Sequence, residues 1–251
     1  MRYKAPDAIF GLITGAVVFL LMMMSSLMAA ETNVSAVAHL TVPAEVAKVK
    51  IIAIDPGHPS ETSGGCAHHG LKEVDICWEV ALRLEKLISA DPAFKPIKTK
   101  SAVDTMVTNR QRAETANAAG AALLVRLHCD SGKGSGCTVY YPDQQGTSQG
   151  VTGPSDNVIE QSRNAAECMQ KGLARALGTR LKLNPVKTDS VTAVGAKQGA
   201  LTGSIFSQVP AVVIEMVYLN NASDAALIKT SDGQNLLAEA IFAGIREYAA
   251  R

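Results

Sequence analysis

The chain has 251 residues, 47% hydrophobic and 19% charged, which is enough apolar material to bury a core in one ordinary domain or two small ones. Its formal net charge of +1 gives no basic face for nucleic acid and no bias toward an acidic partner. Aromatic residues make up only 4%, which weighs against a stacking groove for bases or sugars.

The first thirty residues differ in kind from the rest. Arg2 and Lys4 precede an uncharged apolar run, IFGLITGAVVFLLMMMSSLMAA, from Ile9 to Ala30. A positive start followed by a long apolar stretch reads as an export segment, either a cleaved signal peptide or an uncleaved anchor. Roughly 20 apolar residues suffice to cross a bilayer, so both forms remain open. Either one exports the rest of the chain, with membrane contact only through this segment. A buried core helix fits neither its length nor its position. Residues 31–47, mixed in composition and ending near Pro43, read as a linker, and residues 48–251 as the core domain. Five cysteines stand at 66, 77, 129, 137 and 168. None forms a C-x-x-C pair, which argues against a structural zinc knuckle, and an exported chain leaves room for one or two disulfides.

The domain opens with a strand, Val49 to Ile54, followed by a Gly/Ser/Thr-rich loop from Pro59 to Gly70. From Leu71 the period turns helical, with Val74, Trp78, Ala81, Leu82, Leu84, Leu87 and Ile88 at three- and four-residue steps, until Asp91-Pro92 ends it. A weak extended stretch lies at Pro96 to Lys100. A helix spans Thr108 to Ala119, and two strands follow, Ala122 to His128 and Gly136 to Tyr141. Residues 142–156 read as a polar loop and Val158 to Leu177 as a long helix stopped by Gly178. The last strand, Ala211 to Leu219, is nearly continuous in apolar residues, as a strand buried on both faces requires. Helices at Ala222 to Ile228 and Gln234 to Tyr248 complete the pattern. Strands alternating with helices predict one α/β domain, a mostly parallel or mixed twisted sheet flanked by helices.

In such folds ligands bind beyond the strand ends. Four polar residues fall at or near those positions: His58 after the first strand, Glu73 at the start of the first helix, His128 at the end of ALLVRLH, and Glu215 inside AVVIEMVYL. Singly, each histidine reads as a turn residue and Glu73 as a first-turn carboxylate favoured by the helix dipole. Glu215 is harder to explain, because carboxylates are rarely buried unless paired or bound to a cation. Taken together, two imidazoles and one carboxylate form a catalytic zinc set with a fourth position for water, and Glu215 supplies a separate acid/base. His68 and His69 are rival ligands. Being adjacent on an extended segment, at most one of them can face the site. Cys129 should point away from His128, Cys77 belongs to the core, and Lys197 and Gln198 are placed to meet substrate.

These residues sit in motifs that resemble the zinc-dependent N-acetylmuramoyl-L-alanine amidases of the amidase-3 type. The family's strand ending in D-P-G-H is matched by Asp55 to His58, and its helix-opening glutamate by Glu73 in GLKEVDICWEVA. The R-x-x-x-x-A/N segment is matched by Arg112 to Asn117, and the S-I-H-x-N motif by RLHCDS with His128. The G-x-x-V-Y-Y strand is matched by Gly136 to Tyr141, and P-A-V-L-I-E-x-G-F-L-S-N by Pro210 to Asn221. Departures occur at Pro59-Ser60, Asp130 and Val217-Tyr218, and they bear on loop shape and substrate fit.

The resemblance implies zinc held by His58, Glu73 and His128, with Glu215 as general acid/base. It further implies hydrolysis, by zinc-bound water, of the amide between N-acetylmuramic acid and the L-alanine of the peptidoglycan stem peptide. A zinc peptidase cutting within the stem, or a non-catalytic peptidoglycan-binding relative, are the alternatives. The fifteen or so residues after Tyr141 are too few for the blocking helix that some members insert, so an open site is expected. The partner expected is a glycan-peptide, bound by a monomer, with no nucleic acid.

Overall fold

The structure, a computed structural model, describes residues 49–251. The export segment and linker expected at 1–30 and 31–47 lie outside the described residues. In chain order the first strands are β1 (Lys50–Pro56), β2 (Ala67–His68) and β3 (Leu71–Lys72), followed by helix α1 (Glu73–Ala90) and β4 (Phe94–Lys98). Then come α2 (Asn109–Ala118), β5 (Leu123–Asp130), β6 (Thr138–Tyr141), the hairpin strands β7 (Gly146–Ser148) and β8 (Val151–Gly153), and α3 (Asp156–Leu177). The chain finishes with β9 (Lys187–Thr188), the short helices α4 (Gly195–Gln198) and α5 (Thr202–Ile205), β10 (Ala211–Tyr218), α6 (Ala222–Ile228) and α7 (Ser231–Ala249).

Six strands form one sheet in the order β4-β1-β5-β10-β6-β9. All neighbours are parallel except β10 and β6, so the sheet is mixed, as the alternating pattern predicts. The three central strands are buried on both faces, which is why IIAI, LLV and AVVI carry no alternation. Helices α1, α3 and α7 contribute to the main core against one face, with Leu84, Leu173, Ile241, Ile54, Leu127 and Ile214 all fully buried. On the opposite side a smaller cluster of Ala53, Ala116, Leu124 and Ala211 joins α2 to the sheet. The α3–α7 crossing is so close that a Cβ on Gly172 would come 2.6 Å from the Ala243 carbonyl carbon.

Three details differ from expectation. The buried stripe of α1 is Ile76, Cys77, Val80, Ala81, Leu84 and Ile88, whereas Leu82 is exposed and Trp78 sits at the edge beneath Lys98 and Lys100. Counting Trp78 as core rotates the apolar face away from its true position. The two supposed loops each contain a small antiparallel pair, β2–β3 and β7–β8. Gln149 and Gly150 turn the second pair at positive φ (51° and 76°), a two-residue hairpin connection too short and polar to leave a periodic trace. All five cysteines are free thiols, so no disulfide forms, and all but the half-buried Cys66 pack in the interior like small apolar side chains.

Candidate metal centre

Strands β1, β5 and β10 run parallel, so their carboxyl ends share one edge of the sheet. His58 leaves β1 through Pro56-Gly57, and His128 lies near the end of β5. Glu73 is the first residue of α1, where the helix N-terminus favours a negative charge. These three residues, fifteen and fifty-five positions apart, present ligand atoms that all lie within 4.8 Å of one another. Glu73 Oε1 is 3.2 Å from His58 Nε2 and 3.1 Å from His128 Nδ1, and the two rings stand edge to face with centroids 5.0 Å apart.

Backbone groups orient this cluster. His58 Nδ1 donates to the Ser63 carbonyl at 3.1 Å, which in the neutral ring leaves Nε2 as a lone pair aimed at Glu73. Glu73 accepts from the backbone N–H of Cys66 at Oε2 (2.9 Å) and of Cys129 at Oε1 (3.1 Å). Burial alone would raise the Glu73 carboxyl, but the hydrogen bonds and charge of His128 and His58 hold it well below the usual range. Burial pushes His128 down against the pull of Glu73, favouring the neutral imidazole that a metal binds. Burial and then the Glu73 charge push the Cys66 thiol up to about 12, so it stays protonated beside the cluster. Gly57 cannot carry a side chain here, because a Cβ would lie 2.6 Å from Leu127 O and 2.7 Å from the His128 ring.

Glu215 stands directly across from His128 in the β5–β10 register, just before a bulge that ends at Tyr218. Its Oε2 is buried without a hydrogen-bond partner, although the residue as a whole remains open to a cavity of about 280 Å³. That cavity is also lined by His58 and His128. Burial, followed by repulsion from Glu73 and Asp130, raises the Glu215 carboxyl well above the ordinary range, with Arg126 opposing. A lone pair facing a carboxylate oxygen, with an unpartnered carboxylate in the same cavity, suits a divalent cation. Two nitrogens and one oxygen are a donor set that zinc accepts with a position left open.

The sequence reading missed the layer beneath. Asp55, fully buried, accepts from Arg112 Nη1 (2.7 Å), Arg126 Nε (2.8 Å) and the Thr99 hydroxyl (2.5 Å). Burial would raise this carboxyl, but Arg126 and Arg112 hold it far below the usual range. Arg112 also donates to the carbonyls of Pro56, Pro59 and Val107, and Lys100 to that of His58, so the turn carrying His58 is held from α2 and the loop after β4. This restraint matters because His58 itself has φ 54°, a region that costs a non-glycine residue about 1–3 kcal/mol. The clue was present in the sequence as a charge inside each of two apolar strands, IIAID and LLVRL.

Neither rival histidine joins the cluster. His68 Nε2 meets the Ser131 hydroxyl at 2.8 Å, and His69 Nε2 meets the Asn220 carbonyl at 3.2 Å. Lys197 and Gln198 do not line the cavity; Val194, Leu201 and Thr202 from the same segment do. Gln198 instead donates to Ala200 O and Thr202 Oγ1.

Residues 52–247 match the Amidase_3 family, described as N-acetylmuramoyl-L-alanine amidase. The chain is 30% identical over 200 residues to N-acetylmuramoyl-L-alanine amidase LytC of Bacillus subtilis, covering 78% of this chain and 35% of that protein. It is 25% identical over 227 residues to N-acetylmuramoyl-L-alanine amidase AmiC of Escherichia coli, covering 80% of this chain and 53% of the relative. The chain thus spans about a third to a half of these two relatives. Among solved structures, the catalytic domain of CwlV, an N-acetylmuramoyl-L-alanine amidase from Bacillus (Paenibacillus) polymyxa, superimposes with a TM-score of 0.64 at 26% identity. That match covers 80% of this chain and 98% of the other.

Proposed function

The chain belongs to the Amidase_3 family of N-acetylmuramoyl-L-alanine amidases, and from that premise we propose that it is a zinc-dependent peptidoglycan amidase. It cleaves the amide joining N-acetylmuramic acid to the L-alanine of the stem peptide. The observation that carries the reading is the meeting of His58, Glu73 and His128 from three separate elements within 4.8 Å, beside a carboxylate with no partner. His58, Glu73 and His128 would hold the zinc. When bound, zinc supplies Lewis acidity that polarises the amide carbonyl and makes water a nucleophile near neutral pH. Glu215 takes the proton of the attacking water and returns it to the departing L-alanine amine. Its unsatisfied Oε2 and raised affinity for a proton suit both halves of that transfer. The Ser63 carbonyl orients the His58 ring, and the Cys66 and Cys129 N–H groups keep Glu73 from rotating.

The catalytic unit is residues 48–251, exported by the segment at 1–30 through the linker at 31–47, and acting as a monomer on cell-wall glycan-peptide. No helix among the described residues is long and apolar enough to cross a membrane. Between Tyr141 and α3 the chain forms only the β7–β8 hairpin, which supports an open site that needs no activating partner. The test is metal content together with muropeptide release for wild type, His58→Ala and Glu215→Gln. One zinc per chain, lost in His58→Ala, with intact stem peptide freed from sugar only by wild type, supports the reading. Cleavage within the stem would make it a peptidase, and undiminished release by Glu215→Gln would remove Glu215 from its role.

A further inference from the structure

Arg126 precedes His128 by two residues in β5, so both side chains rise from one face of the strand. Its guanidinium is almost fully buried, 4% exposed, yet it lines the same cavity as His58, His128 and Glu215. Two of its three nitrogens are committed: Nε donates to Asp55 Oδ2 at 2.8 Å and Nη2 to Asn109 Oδ1 at 2.7 Å. Among the described residues Nη1 has no acceptor, and it is not shut away from the cavity as Glu215 Oε2 is. Among the described residues Asp55 is the one carboxylate hydrogen-bonded to both Arg112 and Arg126. Glu215, in the same cavity, feels the Arg126 charge but makes no hydrogen bond to it, so Nη1 stays unpaired.

The cavity wall accommodates this group. A Cβ on Gly203 would overlap Arg126 Nη1 and lie 2.6 Å from its guanidinium carbon, so a larger residue would have to push the guanidinium aside. Next to it, Thr202 Oγ1 already accepts from Gln198 Nε2 at 3.0 Å and therefore keeps its hydroxyl proton to donate. The serine position of the S-I-H-x-N motif is Arg126 here.

We propose that Arg126 is a specificity-determining residue, whose Nη1, with the Thr202 hydroxyl, receives a free carboxylate on the peptide side of the substrate. This rests on the amidase reading and deepens it. The chain prefers an acidic stem peptide over one whose corresponding carboxyl is amidated. A planar guanidinium donating to a carboxylate is a charge-assisted bond that a carboxamide cannot match.

The test compares two soluble substrates on the zinc-loaded full chain, both with the γ-carboxyl already amidated: N-acetylmuramoyl-L-alanyl-D-glutamine, the acid with a free α-carboxylate, and its α-carboxamide, which has none. Wild type should favour the acid by about tenfold in kcat/KM, mostly through KM. In Arg126→Gln the ratio should fall to about one. The ratio is internal to each preparation, so partial unfolding of the variant cancels. Gly203→Ala, which keeps Arg126 but crowds its guanidinium, should also lower the ratio. Equal rates for wild type, or an unchanged ratio in Arg126→Gln, overturns the proposal. So does an equal loss on both substrates with a displaced pH profile, which would make Arg126 only a counter-charge to Glu215. Calorimetric titration of the metal-free chain with L-alanyl-D-glutamine and its α-carboxamide separates the two readings. If neither substrate is hydrolysed but the acid peptide binds selectively and Arg126→Gln abolishes this, the amidase reading fails and the carboxylate site stands. Unselective binding overturns the site itself.

Discussion

Replacing Asp55 by asparagine removes one charge from the middle of the sheet and leaves two. Arg112, Arg126 and Asp55 are 1%, 4% and 0% exposed, so solvent does not screen the loss. The asparagine amide keeps one acceptor oxygen but turns N–H groups toward a guanidinium that also donates. Breaking a buried ion pair from one side costs about 3–5 kcal/mol. Two stranded cations push toward the upper end. The Val107, Pro56 and Pro59 carbonyls around Arg112, and Asn109 beside Arg126, pull back, since they keep both guanidiniums hydrogen-bonded. The expected loss is therefore about 3–5 kcal/mol. In a domain of this size each kcal/mol moves Tm by about 2–4 °C, so calorimetry should show a fall of about 6–20 °C. Urea titration should give a lower midpoint at an unchanged slope. A loss below about 1 kcal/mol would refute the reasoning, because it would mean that the node is hydrated or relaxes freely.

The same carboxyl sets an acid limit. Its folded pKa is depressed, so its contribution is fully present above the unfolded value of about 3.9 and is lost as pH falls below it toward the folded value. Wild type should therefore lose stability below about pH 4 more steeply than Asp55→Asn, as read by Tm against pH. Gly172→Ala should cost about 1–3 kcal/mol, since its methyl would meet the backbone of α7 rather than a side chain able to move; urea unfolding measures it. Thr108→Ala removes the capping box that pairs Thr108 with Gln111 at the start of α2 and should cost about 1 kcal/mol by the same assay. Chelation of the purified zinc form should lower Tm, and zinc should restore it, because a ligand held by three elements binds the folded state alone. His58→Ala should show no such response.

Much of this arrangement was legible in the sequence because it depends on short-range logic. A buried strand ending in Asp55-Pro56-Gly57 must release His58 at a sheet edge, and Glu215 within an apolar strand demands a reason. The sheet class followed from strands alternating with helices. What escaped was what depends on contacts distant in sequence. Asp55 and Arg126 looked like strand residues until β1 and β5 were paired, and Arg112, 57 residues from Asp55, reads only as a helix cation. The same question asked of Glu215 would have exposed both strand charges. The small hairpins left no trace, and the segment from Val194 to Thr202 was read through Lys197 and Gln198 instead of the Val194, Leu201 and Thr202 that line the cavity, because short polar segments take their shape from the elements they touch.

The Asp55–Arg126 pair has a consequence for how the chain finds its alignment. The central strands are apolar on both faces, and such strands specify their pairing offset poorly, since sliding exchanges one aliphatic residue for another. Asp55 and Arg126 are direct partners across β1 and β5. A two-residue slip preserves the faces but sets Asp55 opposite Leu124 or His128 and strands both charges in a dry interior. The pair thus penalises the misaligned sheets that hydrophobicity alone would tolerate, and it does so at the end of β1 from which His58 departs.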